Sequence, residues 1–298
     1  MKSLLDVPAP AKLNLFLHVV GRRDDGYHLL QSVFTLIDWS DTLHFERRDD
    51  GRLQRHDLDL GTALPADDLS LRAARLLQAE SGTPLGADIS VLKQVPWGAG
   101  LGGGSSDAAS TLLALNRLWG LQWPRERLLT LATRLGADVP FFVGGRTAFV
   151  EGIGERLTPL ALPAQRYAVV KPPGAIATAA IFGHPSLVRN TEAVILSGFL
   201  VDAAQALASM CSSGFGRNDL QGPAEQADAE VAEVARWLAT RFGNSRMTGS
   251  GSAVFARVAE NIGTGDSPMA IGLAALPPGW VGRMCRSLPV HPLVDWAG

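Results

Sequence analysis

The 298-residue chain is short of several things, and each shortage excludes a class of protein. It has two cysteines, Cys211 and Cys285. Two thiols cannot build a disulfide framework, and their spacing fits neither a zinc site nor a redox pair, so they read as reduced thiols suited to the cytoplasm. Charged residues make up 19% of the chain against 46% apolar, which is too apolar for a disordered protein. Neither sign of charge dominates: 27 basic and 29 acidic residues leave a net charge of −2. With no basic stripe, a general nucleic-acid scaffold is disfavoured. No stretch reaches the roughly 18 uninterrupted apolar residues of a membrane helix. Asp6 and Lys12 interrupt the apolar N-terminal segment and Pro8 and Pro10 break any helix there, so it does not read as a signal peptide. The histidines show no metal-ligand spacing. Neither an internal repeat nor a low-complexity segment is present.

Glycine, in contrast, is in excess, 32 residues, and it clusters at GAGLGGGSS (98–106) and TGSGS (248–252). Such clustering brings backbone close to something. The length predicts about two domains, with a boundary around GIGERLTP (near 153–160), dividing residues 1–155 from 156–298. Branched and aromatic runs predict strands at 13–20 and 29–37. Polar alternation at 42–47 and 52–60 predicts a hairpin across DDG (49–51). Apolar spacing predicts helices at 67–80, capped by Asp67 or Asp68, at 105–120, closed by Gly120, and at 124–136, with Pro124 near its first turn. Strands are expected at 87–95, 146–152 and 166–172, helices near 199–210 and 226–242, and a strand, glycine turn and strand over 246–258. This order lacks regular βαβ alternation and favours an α+β fold.

The segment PWGAGLGGGSSDAAS (96–110) joins a strand to a helix. Without Cβ atoms, successive backbone N–H groups can curl around an anion, and the start of the following helix adds free N–H groups and a partial positive charge. Ser105 and Ser106 add hydroxyls. A Walker-type loop is excluded, because no Gly-Lys-Ser/Thr occurs. The dinucleotide pattern Gly98-x-Gly100-x-x-Gly103 is present, but a second helix follows where that motif expects a strand, and Glu126 falls inside it. An oxidoreductase and a non-catalytic RNA-binding module remain as alternatives.

Pro-x-Gly-x-Gly-Leu-Gly-Gly-Gly-Ser-Ser followed by an Ala-rich helix resembles the phosphate loop of the GHMP small-molecule kinases. The form GLGGGSSDAA narrows the resemblance to the branch acting on 4-diphosphocytidyl-2-C-methyl-D-erythritol. PAKLNLFLHV (10–19), DGYHLLQSVF (25–34), GADVPFF (136–142), AFVEGIGERLTP (148–159), RNDLQ (217–221) and MTGSGSAVFA (247–256) agree in the same order. The resemblance covers about residues 9–258. It implies a two-domain GHMP kinase fold, with an N-terminal α/β domain like that of a ribosomal protein and a C-terminal antiparallel sheet with helices. It also implies ATP-dependent phosphorylation of the 2-hydroxyl of that cytidine-linked polyol in the non-mevalonate route to isoprenoid precursors. Another GHMP kinase with a different alcohol acceptor is the alternative. The expected ligands are ATP, magnesium and the small-molecule acceptor, with no nucleic acid and no membrane, in a cytoplasmic monomer or weak homodimer.

Residue by residue, the resemblance places ATP on Pro96, Gly98, Gly100, Leu101, Gly102, Gly103, Gly104, Ser105 and Ser106, with Ser106 helping to hold magnesium. It makes Asp138 and Lys12 catalytic. Read alone, Asp138 is a helix cap and Lys12 a lysine snorkelling at a sheet end. Asn14 leaves the same strand face as Lys12 and becomes a substrate contact. Tyr27 and His28 join the cytidine pocket, with Phe182 as its second aromatic wall and Thr178 as a neighbour. Trp97 either walls the adenine site or covers the core.

Overall fold

A computed structural model describes residues 1–58, 65–194, 216–258, 273 and 275–297. The chain opens with two very long strands, β1 (Ser3–Arg22) and β2 (His28–Arg48), paired antiparallel from Ser3↔Glu46 to Arg22↔His28. Pro8 and Pro10 lie inside β1, opposite Thr42 and Ser40. They are tolerated because, among the described strands, β1 pairs with β2 alone, so the missing N–H groups interrupt no ladder there on the other side.

The hairpin expected across residues 49–51 does not form. β3 (Leu53–Asp57) pairs parallel with β4 (Gly86–Leu92), and β4 pairs antiparallel with β2, so β4 lies between β2 and β3. Helix α1 (Leu69–Ser81), capped by the Asp68 side chain on Leu71 N, makes the crossover. Parallel neighbours need such a crossover, whereas a short turn can join only antiparallel ones. A Cβ on Gly86 would stand 2.0 Å from Arg52 O, a contact that sequence pattern does not reveal.

Helix α2 (Gly103–Leu118) starts two residues before the predicted position, after Gly102 in the left-handed region, with no side-chain cap. It packs against α1, β1 and the short helix α4 (Val139–Gly144). Between them, α3 (Arg125–Leu135) begins at Pro124, which is the cap residue itself. Leu77, Leu112, Leu115, Phe141 and Phe142 fill the core between these helices and the sheet.

β5 (Ala148–Glu151) pairs with both β2 and β6 (Arg156–Pro159). β7 (Arg166–Lys171) follows, then the short α5 (Thr178–Phe182). The helix expected near 199–210 lies outside the described residues. That expected over 226–242 is two helices, α6 (Gln221–Ala227) and α7 (Ala229–Phe242). Asp228 divides them because its carboxylate accepts from Glu230 N and caps α7. β8 (Arg246–Met247) and β9 (Val254–Val258) flank the second glycine cluster.

The segment after residue 258, which carries no recognisable motif, supplies the strand that joins the molecule. β10 (Val281–Leu288) pairs along β7 and ends beside β2 at Leu36 and Ile37, giving the path β3-β4-β2-β10-β7-β9-β8. Leu13, Phe16, Ile37, Phe149, Tyr167, Phe255 and Cys285 form the core at this junction. Burial pushes the Cys285 thiol up to about 12, so it stays protonated and unreactive. The chain then returns to the first half, where Leu293 and Ala297 are buried and Arg125 donates to the Ala297 carbonyl at 2.8 Å. Among the described residues, no helix is long and apolar enough to cross a membrane.

Candidate active site

The β1 and β2 strands, the α2 start, the α4 start and α5 converge on one cleft of about 800 Å³. Its walls include Lys12, Asn14, Tyr27, His28, Gly98, Gly100, Gly102, Ser105, Asp138, Thr178 and Phe182. With Gly251 also in the lining, residues up to 239 positions apart in the chain are thus brought together on one surface.

The floor is a clasp between the two glycine clusters. Ala253 N donates to Ala99 O at 3.1 Å, Ser252 N to Gly98 O at 3.3 Å, and Asn14 N to Thr248 Oγ1 at 2.9 Å. A Cβ on Gly100, where φ is +72°, would stand 2.2 Å from Thr248 O. Only glycine lets these backbones meet. The second cluster also reaches the cleft through Gly249, Ser250 and Gly251, and Ser250 Oγ lies 2.8 Å from Thr178 Oγ1. The glycine count pointed to this segment, but no site residue was assigned there.

Above the clasp, α2 points its uncapped first turn into the cleft, with Ser105 on the wall. Free N–H groups and glycines without Cβ atoms are what a nucleotide's phosphates require, so the loop fits ATP. Pro96, Leu101, Gly103, Gly104 and Ser106 do not line the cleft. Ser106 corrects the expectation of a magnesium ligand: it is fully buried, and its hydroxyl donates to Pro10 O at 2.7 Å. Pro8 O is held the same way by Ser110 Oγ at 2.8 Å. Ser106 ties the helix to a proline-bearing strand instead. Among the described residues, no three His, Cys, Asp or Glu side chains cluster as a metal site would need. The donors of the described residues therefore do not form a dedicated magnesium cage.

Beneath the loop sits a group of charges that the sequence reading missed. Lys93 Nζ bridges the buried carboxylates of Asp41 and Asp107, 2.6 Å from the latter. Asp41 also accepts from Gln94 N at 2.6 Å and Val95 N at 2.8 Å, pinning the chain where it enters the glycine loop. A Cβ on Gly103 would meet Val95, Asp41 and Lys93 at 3.3–3.5 Å. The small Gly103 suits this inward packing. Burial pushes Asp107 up to about 8. The three residues are scattered over 67 positions and show no spacing signal.

Asp138 is the cap residue of α4, yet its side chain makes no capping hydrogen bond. Its carboxylate lies 3.5 Å from Lys12 Nζ. Lys12 is 3% exposed, donates to Asn14 Oδ1 at 2.5 Å and sits over the Phe34 ring at 4.6 Å. It is not snorkelling. Asn14 Nδ2 in turn donates to Ser32 Oγ at 3.1 Å. A fixed ammonium, an amide and a partly exposed carboxylate at the mouth of a glycine loop can hold a hydroxyl and stabilise a phosphoryl group moving to it.

At the other end, Tyr27 is 60% exposed, while the chain's second tyrosine, Tyr167, is buried in the core. The His28 ring stacks on Phe182 at 5.0 Å between centroids, 30° from coplanar. Burial, then the Arg189 and Arg22 charges, lower the His28 pKa. Trp97, at 63% exposure, does not cover the core.

Clasped glycine loops, an uncapped helix and a lysine–aspartate pair define a small-molecule kinase of the GHMP class, and the GHMP kinases N terminal domain family matches residues 68–146. A solved homoserine kinase from Cytophaga hutchinsonii shares the fold, with a TM-score of 0.70 at 17% identity over 98% of this chain and 96% of that one. A solved 4-(cytidine 5'-diphospho)-2C-methyl-D-erythritol kinase is nearer, with a TM-score of 0.77 at 35% identity over 96% and 98% of the two chains. A relative from Methylibium petroleiphilum named 4-diphosphocytidyl-2-C-methyl-D-erythritol kinase is 66% identical over 100% of this chain and 99% of its own length. One of the same name from Variovorax paradoxus is 54% identical over the full length of both. The chain belongs to the 4-diphosphocytidyl-2-C-methyl-D-erythritol kinase family.

Proposed function

We propose that this kinase transfers the γ-phosphoryl group of ATP to the 2-hydroxyl of 4-diphosphocytidyl-2-C-methyl-D-erythritol, giving the 2-phosphate and ADP. The observation that carries the reading is a single cleft with the Lys12–Asp138 pair at the mouth of the glycine loop and the Tyr27, His28 and Phe182 rings on its wall. In this reading the cleft divides a phosphate-loop domain, residues 1–155, from a second domain, residues 156–298.

The roles follow from the chemistry. Gly98, Gly100 and Gly102 let the nucleotide's phosphates approach the backbone, and the first turn of α2 supplies free N–H groups. Asp138 accepts the proton of the acceptor hydroxyl as its oxygen attacks phosphorus. Lys12 faces the charge that develops on the transferring group, and Asn14 holds Lys12 in place. Tyr27 and Phe182 stack a cytosine base, and His28 meets its edge; Thr178 borders the same wall. Magnesium enters as the nucleotide's own counter-ion, and no step is assigned to a protein-held metal.

Mixing the protein with ATP, magnesium and a panel of alcohols tests this reading. ADP release with the cytidine-linked polyol, and a new phosphomonoester resonance by ³¹P NMR, is the expected result. Faster turnover of homoserine, mevalonate or a simple sugar would overturn the substrate assignment while leaving the kinase class intact.

A further inference from the structure

Lys171 belongs to none of the motif blocks, yet it stands behind the floor of the cleft. It is the last residue of β7 and is buried. Pro172, Pro173 and Gly174 follow it. The prolines have no N–H, so the strand ladder stops here and the carbonyls of this stretch need a donor from elsewhere. Lys171 Nζ supplies it, donating to Pro172 O at 2.8 Å, Pro173 O at 3.3 Å and Gly174 O at 2.9 Å. An ammonium has three N–H groups and no acceptor. Three carbonyls use them all, so Lys171 has nothing left to offer a ligand. Its effect on the reaction runs through the backbone that it holds.

The third of those carbonyls is shared. Ser252 Oγ donates to Gly174 O at 2.7 Å, and Ser252 N donates to Gly98 O at 3.3 Å. A path of hydrogen bonds thus runs from the end of β7 through Gly174 and Ser252 to the first glycine of the phosphate loop. Ala175 reaches the same place by packing: a Cβ on Gly98, where φ is +64°, would stand 3.1 Å from Ala175 Cβ. The turn is confined on its far side as well, since a Cβ on Gly174 would collide with the Asp228 carboxylate that caps α7.

We propose that Lys171 is a positioning residue for the nucleotide: by gathering three carbonyls it sets the turn at 172–175, and that turn, through Ser252, sets the backbone of the phosphate loop at Gly98. The proposal rests on the reading above that ATP phosphates lie on this loop. The Lys12–Asp138 pair is built elsewhere, on β1 and at the start of α4, so the phosphoryl step itself is not touched. Methionine at position 171 keeps an apolar stem and leaves three carbonyls without their donor. The loss then falls on ATP affinity and not on the rate at saturation.

Calorimetry of ATP with magnesium, without acceptor, and turnover at saturating ATP test this, both at a temperature where an unfolding curve shows each variant folded. Lys171→Met should weaken ATP binding at least tenfold and keep saturated turnover within threefold of wild type. Ser252→Ala removes one hydroxyl from the same path and should weaken ATP binding roughly threefold to tenfold, the worth of one hydrogen bond. In the double variant the two losses should fall well short of multiplying, because each breaks the same path. Unchanged ATP affinity in a folded Lys171→Met, or losses that multiply, overturns the proposal. So does a fall in saturated turnover as large as the fall in affinity, which is the mark of a merely structural lysine. Should Lys171→Met fail to fold, Ser252→Ala decides, and wild-type ATP affinity in that variant overturns the path. Gly100→Ala separates this proposal from the reading beneath it. If that variant binds ATP as wild type does, the phosphates do not lie on the loop and both fall. If it loses affinity while Lys171→Met and Ser252→Ala keep theirs, the role of Lys171 alone falls.

Discussion

Replacing Asp138 by Asn tests the active centre most directly, because the structure separates what the carboxylate does for stability from what it does for turnover. The side chain makes no capping bond to α4, so the substitution removes no helix cap. Its partner is Lys12, at 3.5 Å. Two unit charges at that distance attract by roughly 5 kcal/mol at an effective dielectric of 20. Asp138 is 30% exposed, however, and solvent and salt take most of that back, leaving about 1 kcal/mol. Lys12 keeps its bond to Asn14 and its place over Phe34, so no orphaned cation is created. The melting temperature should fall by about 2–4 °C at most. Turnover should fall far more, roughly 10²–10⁴-fold, since an amide cannot take a proton. Single-turnover measurement of ADP formation at saturating ATP, beside a thermal unfolding curve, reads both quantities. A variant within threefold of wild-type turnover would refute proton acceptance by Asp138. A variant that melts far below wild type would show instead that the carboxylate is structural.

Gly100→Ala should raise the ATP requirement at least tenfold, because its methyl would stand 2.2 Å from Thr248 O and open the clasp; ATP titration by fluorescence or calorimetry checks it. Lys93→Met should destabilise by roughly 3 kcal/mol in urea unfolding at pH 7, since it strands the buried Asp41 carboxylate and takes away the donor to Asp107. Asp107→Asn should cost less than about 1 kcal/mol, because burial has already moved that carboxyl toward its neutral form, and the opposite ranking would contradict the charge assignment. His291 is fully buried and burial lowers its pKa from 6.5 to about 4. As pH falls below 6.5 the unfolded chain takes up this proton first, so wild-type stability should drop between pH 6.5 and 4 by about 3 kcal/mol from this residue. His291→Asn, compared with wild type by urea unfolding at pH 7 and pH 5, should lack that component.

Local physics made part of this molecule legible. The glycine loop leading into a helix could be read because a phosphate site uses backbone, and backbone freedom is written as glycine, although the helix starts at Gly103 rather than at Ser105. Helices α1, α2 and α3 were legible from apolar spacing, while the choice of Asp68 over Asp67 as the cap of α1 was made by the fold. The family motifs, in order, identified the kinase branch because each block places a group that the reaction or its ligands require. The same motifs named Ser106, but a motif does not say which of two adjacent serines turns inward. In a helix they lie about 100° apart, and only the docking of α2 on Pro10 decided it.

Everything that depended on distant pairing was left to the tertiary structure. The alternation at 52–60 suggested a hairpin with 42–47, but residues 53–57 pair parallel with β4 instead, because the α1 crossover returns the chain between them. β10 lies in the segment for which the sequence suggested no element, yet its register against β7 and β2 joins the sheet. The Asp41–Lys93–Asp107 group and the path from Lys171 through Gly174 to Ser252 are invisible in sequence for the same reason. A charge buried beside its partner and a charge in water are spelled with the same letter, and burial is a property of the packed chain.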